Sequence, residues 1–128
     1  MKTYNFTYKE LLDEVVRVGE GDPEFVYGDN EDDSICSYLG QSTKNPTGQC
    51  CIVGQALQNL GVDREDLLEV EGIGARSAVN KLLGETIRGG LSLNKELNII
   101  GMIQGFQDGG NSWGRSVKLG VGVYNGKY

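Results

Sequence analysis

Apolar residues recur at helical spacing in six stretches of the chain, separated by glycine and polar turns. In the first, Tyr8, Leu11, Leu12, Val15 and Val16 mark one face, and Lys9, Glu10, Asp13, Glu14 and Arg17 lie opposite. Thr7-Tyr8-Lys9-Glu10 has the spacing of a capping box, Phe6 and Leu11 that of a hydrophobic staple, and Gly19 is expected to end the helix. The central stretch runs from Gln49 to Gly61, with Ile52, Val53, Ala56, Leu57 and Leu60 on one stripe and Gly61 at the place of a left-handed cap. Cys50 and Cys51 enter this helix, which we expect to be the core element. A third helix starts after Asp63, with Val62 and Leu67 as its staple. A fourth runs from Ala75 to Leu83, between Gly72-Ile73-Gly74 and Gly84. Ser92 opens the longest, to about Asp108, with Leu93, Leu97, Ile100, Ile103 and Gln104 on one side; Gly101 and Gly105 would admit a neighbouring backbone. Trp113 to Leu119 makes the last helix, with Gly120 as its cap.

Period-two alternation is confined to one region. Glu24-Phe25-Val26-Tyr27 reads as a short strand, the hydrophilic run Gly28 to Asp33 as a reversal, and Ser34 to Leu39 as the return strand. The expected fold is therefore a compact, mainly α-helical domain with one small β-hairpin (α+β in a loose sense). It spans residues 1–120 and is followed by a tail, 121–128. Its 128 residues fit one domain, and its 20 glycines, without a fixed period, mark many short elements tightly joined.

Composition narrows the chemistry. Histidine is absent, which removes the commonest general base and metal ligand and rules out a Ser-His or Cys-His pair within one chain. Three cysteines without a C-x-x-C spacing make a poor zinc set, so neither a metal nor another cofactor is expected. No signal-peptide pattern and no apolar run of about 20 residues is present, so the expectation is a reduced, cytoplasmic protein without a membrane segment. The net charge of −6 is concentrated early: residues 1–33 carry ten acidic and three basic side chains. Nothing forms the basic stripe that nucleic-acid binding needs.

Four features could carry function. The loop from Gly40 to Gly48 leads backbone amides into a helix N-terminus, a geometry suited to anions; Lys44, Gly48, Gln49 and Cys51 are its candidate ligand residues. Against this, the loop has no G-K-[ST], and an ordinary surface connection is the simpler reading. Cys51, near the same N-terminus, would be a nucleophile only with a carboxylate or lysine as its base; core packing is the simpler role. The acidic run containing Asp29, Glu31, Asp32 and Asp33 lacks the spacing of a calcium-binding loop and suits a solvated turn or a dock for a basic partner. Gln107, Asp108, Trp113 and Arg115 cluster about a helix corner, where tryptophan and arginine are typical anchors of protein interfaces, although Trp113 would also close the core there. The corner is too poor in basic residues to read DNA.

The order Phe25-Val26-Tyr27, Cys36-Ser37-Tyr38, Cys51-Ile52-Val53-Gly54-Gln55-Ala56-Leu57 and Gln107-Asp108-Gly109-Gly110…Trp113-Gly114 resembles a family of small uncharacterised proteins of actinobacterial phages and prophages, over residues 7–119. The doubled cysteine departs from the family's single one, which leaves Cys50 and Cys51 both open for the common position, with the spacing to Gly54 favouring Cys51. The resemblance implies a phage source and no catalytic assignment. The expected function is that of a non-enzymatic phage accessory protein, made in the cytoplasm of the bacterial host, that binds a host or phage protein. The alternatives are a protein that sequesters a signalling nucleotide and a virion component.

Overall fold

The computed structural model describes residues 2–27, 38, 50–84 and 94–124. Among these residues there are six helices: α1 (Tyr8–Gly21), α2 (Ile52–Asn59), α3 (Arg64–Glu69), α4 (Ala75–Leu82), α5 (Lys95–Asp108) and α6 (Trp113–Tyr124). α5 and α6 form the most extensive pair, α1 lies across α2, α5 and α6, and α4 packs on α5. The local signals explain most of these starts. Thr7 Oγ1 accepts from the Glu10 amide and the Glu10 carboxylate accepts from Thr7 N–H, each at 3.0 Å, which completes the capping box. Asn94 Oδ1 accepts from the Leu97 amide at 2.8 Å and so starts α5; the expected start at Ser92 lies outside the described residues. Gly61 has φ +91° just beyond α2, a conformation that a side chain would strain.

The core joins one face from each helix. Leu11 and Val15 of α1, Ile52, Val53, Ala56 and Leu57 of α2, Val79 and Leu82 of α4, and Leu97, Ile100 and Ile103 of α5 are fully buried. Burying each of the valine, leucine and isoleucine side chains contributes about 1.5–3 kcal/mol, so this shared interior dominates the folding energy. Asn59 links α1 to α2 at the surface: its Nδ2 donates to Glu14 Oε2 at 2.8 Å, and Arg17 donates to the same carboxylate. Those bonds, the Arg17 one first, hold the Glu14 carboxyl below its ordinary range.

Several expectations are corrected. The described residues contain no strand: Val26 makes a single antiparallel bridge to Ser112, so among them there is no β-hairpin and the helical part of the expected fold is what remains. The reason is packing. The Phe25 ring meets Trp113 edge-on at 4.6 Å, and the Phe25 carbonyl accepts from the Trp113 amide at 2.8 Å, so the extended segment is drawn to the start of α6. Of the expected return strand, Tyr38 alone is described, and it is a bend.

Cys51 does not enter α2 but caps it. Gly19 and Gly120 do not end helices. A Cβ at Gly19 would stand 2.5 Å from Val117 Cγ2, and one at Gly120 the same distance from Ile103 Cγ1. Both lie inside helices at close crossings, and α6 continues to Tyr124. The Gly101–Gly105 pair admits no backbone: Gly101 faces the Arg76 side chain, and Gly105 has nothing within 4 Å.

Candidate functional site

The corner anticipated around Trp113 is the meeting point of three helix ends. Helix α2 begins there with amides that have no intrahelical partner. Gln107, fully buried on α5, accepts from the Ile52 amide at 2.8 Å through Oε1. Gln104, one turn earlier, accepts from the Val53 amide at 3.3 Å. Cys51 Sγ accepts from the Gly54 amide at 3.4 Å. Three consecutive amides at this N-terminus are thus engaged by side chains of the fold itself.

Gln107 also binds α6. The same Oε1 accepts from Trp113 Nε1 at 3.2 Å, and its Nε2 donates to Asp108 Oδ1 at 2.6 Å. One carboxamide therefore connects α2, α5 and α6. Trp113 is 2% exposed, so its indole belongs to the interior. The first amides of α6 are also capped, those of Trp113 and Gly114 by the Phe25 and Pro23 carbonyls and that of Arg115 by Ser112 Oγ at 3.3 Å. Among the described residues no buried side-chain nitrogen or oxygen lacks a partner.

A second junction was not foreseen. Tyr38 is fully buried and lies against Gly54, where a Cβ would come within 2.4 Å of the Tyr38 carbonyl oxygen. Its amide donates to Glu71 Oε1 at 2.5 Å, its carbonyl accepts from Gln58 Nε2 at 2.8 Å, and its hydroxyl donates to the Ile73 carbonyl. One tyrosine thereby anchors the chain over α2 and the turn before α4. The glycine at position 54, in the first turn of the core helix, was its one signal in the sequence.

The candidate residues are distributed as follows. Cys51, Gln107 and Trp113 come together in the interior, with Asp108 at the edge of the cluster. Arg115 is exposed and donates through Nε to Asn111 Oδ1 at 3.1 Å. Lys44, Gly48 and Gln49 lie outside the described residues, as do Asp29, Glu31, Asp32 and Asp33.

The electrostatics of this corner favour neutral groups. Burial, with the neighbouring Cys51 adding to it, pushes the Cys50 thiol up to about 12, and Cys50 Sγ donates to Gln55 Oε1 at 3.4 Å. Desolvation also raises the Asp108 carboxyl, against the opposing effect of the Gln107 hydrogen bond. Neutral amide oxygens of Gln104 and Gln107 accept from backbone amides here, and the Trp113 indole N–H donates to one of them. Among the described residues no three His, Cys, Asp or Glu side chains stand close enough to hold a metal ion, and no helix is long and apolar enough to cross a membrane.

Comparison of the chain with protein-family models, with curated proteins and with solved structures finds no match.

The other outward feature is the acidic end of α1 and the turn after it. The two bases of α1 are paired within the helix, Lys9 with Asp13 at 3.0 Å and Arg17 with Glu14 at 2.6 Å. Glu20, Asp22 and Glu24 are exposed and make no ion pair among the described residues. In the sequence they run directly toward the acidic residues 29–33.

Proposed function

We propose that this chain is a non-enzymatic phage accessory protein that acts in the host cytoplasm by binding a host or phage protein through its acidic N-terminal third. The observation that carries the reading is the exposed group Glu20, Asp22 and Glu24, which leads in sequence to Asp29, Glu31, Asp32 and Asp33 while both α1 bases are neutralised by helix neighbours. A surface of one sign selects a partner of the other and speeds encounter more than it adds affinity. The polar residues of the Trp113 corner support the same reading from the other side, since they hold helices together rather than face a substrate. The resemblance to small actinobacterial phage and prophage proteins supports the phage source.

The test is affinity capture from host lysate with the wild-type chain and with Glu20→Lys/Asp22→Lys/Glu24→Lys. The expected result is a basic partner retained by the wild type, lost in the variant and weakened by salt. A partner held equally by both proteins, or none above background, overturns the proposal. Native mass spectrometry separates it from nucleotide sequestration, for which the chain would carry an added mass of a few hundred daltons.

A further inference from the structure

The segment before α1 has no regular structure, yet it terminates two helices. α3 is six residues long, far below the length at which a helix stands alone, and the side chain of its N-cap, Asp63, makes no capping bond. In a capping box the carboxylate at Asp66, third in the helix, would accept directly from the Asp63 amide. Here the phenol of Tyr4 stands between them. Tyr4 Oη donates to Asp66 Oδ2 at 2.5 Å and accepts from Asp63 N at 2.9 Å. The Tyr4 backbone amide donates to the Leu82 carbonyl at 3.0 Å and so closes the C-terminus of α4. One residue caps helix ends of opposite polarity, and α3 borrows its N-terminal cap from a segment 59 residues away in sequence.

The attachment is narrow. Lys2 pairs with Asp63 at 3.1 Å, but both side chains are more than half exposed, where such a pair stabilises little. Thr3, Asn5 and Thr7 are exposed, and Phe6 is half-buried against the core. At Thr7 the complete capping box fixes the start of α1. The firm end of the segment is thus Thr7, and the part before it is held chiefly by Tyr4. Tyr4 to Tyr8, with Leu83, also line an open pocket of about 330 Å³, which exists only while the segment is docked.

We propose that residues 2–6 and α3 form one latch, which opens as a unit about Thr7 while α1, α2, α5 and α6 remain folded. Closed, it builds the pocket; open, it frees α3 and removes the pocket's wall. Of the apolar side chains of α3, Leu67 alone reaches the core while Leu68 is exposed, and the Tyr4–Asp63 bond is also exposed; such sparse anchoring marks the kind of region that opens below the global unfolding free energy.

Amide hydrogen exchange on the full chain tests this with Tyr4→Phe, which keeps the ring and removes both hydroxyl bonds. The Leu67 and Val70 amides, bonded within α3 and its last turn, should lose protection by about tenfold to a hundredfold, the effect of losing a hydrogen bond to a charged group. The Tyr4 amide should lose protection by the same factor, while amides of α5 and α6 stay as they were. In the wild-type chain under mild denaturant, the Tyr4, Leu67 and Val70 amides should share one opening isotherm, shallower than that of α5. If the segment loosens without α3, if all helices loosen equally, or if the three wild-type amides open with different denaturant slopes, there is no such latch.

Discussion

Replacing Gln107 by methionine isolates the carboxamide that joins three helices. Methionine nearly conserves the volume, so little of the effect is a cavity. Two donors lose their acceptor: the Ile52 amide, at 2.8 Å, and Trp113 Nε1, at 3.2 Å. Each sits in an interior that Gln107 itself shows to be closed to solvent. An unsatisfied buried donor costs about 1–3 kcal/mol, so the pair should cost roughly 2–6 kcal/mol. Asp108 loses a donor as well but can turn to water. A chain of this length is stable by roughly 6–19 kcal/mol, so the variant should fold with much of that margin gone. Equilibrium urea unfolding reads the loss, followed by the fluorescence of Trp113, the single tryptophan of the chain, which reports on this corner. With a slope of about 2 kcal/mol per molar, the midpoint should fall by roughly 1–3 M. A fall below about 0.5 M would mean that Gln107 is not what satisfies the start of α2, and the account of the corner would be wrong. Gln107→Glu sharpens the test. It keeps both acceptor contacts but replaces the donor to Asp108 with a second carboxylate. Burial and the Asp108 charge should raise the pKa of the new carboxyl, so the variant is most stable in acid and loses stability as pH rises toward neutrality.

Other outcomes follow from the same geometry. Gly120→Ala drives a Cβ to within 2.5 Å of Ile103 Cγ1 and 3.1 Å of its backbone nitrogen; the α5–α6 crossing should lose about 1–3 kcal/mol in the same urea assay. Gly105→Ala, in the same helix pair but with nothing within 4 Å, should instead gain about 0.5–1 kcal/mol, and a loss there would show the site to be occupied. Cys50 should resist iodoacetamide at pH 8 in the folded chain and react in urea, because its thiol is held protonated up to about 12; rapid native labelling would contradict that burial. The same shift makes Cys50 a source of alkaline lability. Its folded pKa lies above the ordinary 9.0, so the stability it contributes is whole below pH 9 and falls as pH rises toward 12, a decline that Cys50→Ala should reduce in urea melts across that range. Glu14 acts in the opposite sense: its lowered carboxyl stabilises above its ordinary 4.5 and loses that contribution in acid, so Glu14→Gln should flatten the acid limb of the stability profile.

The parts of this fold that were legible in the sequence are those decided within a few residues. The Thr7–Glu10 box, the apolar stripes of α1 and α2, and the left-handed Gly61 each depend on neighbours along the chain. The misreadings arose where a distant partner decides. Gly19 and Gly120 have the local character of helix stops, but the space left by their missing side chains is filled by Val117 and Ile103, so the helices run through them. Phe25 to Tyr27 has strand composition, and its partner is the start of α6, about 85 residues on in sequence. The candidate site shows the same division. Gln104 stood on the apolar stripe of α5, and Gln107 stood one turn further on; a glutamine pair at that spacing on a core-facing side is the trace of a polar contact inside. What the spacing left open was the direction of that contact, toward a ligand or toward another helix. The amides of Ile52 and Val53 supply the missing half, since a helix start placed against α5 needs acceptors as much as any ligand would. An interior corner of this kind and a binding site use the same residues, and only the identity of the donor tells them apart.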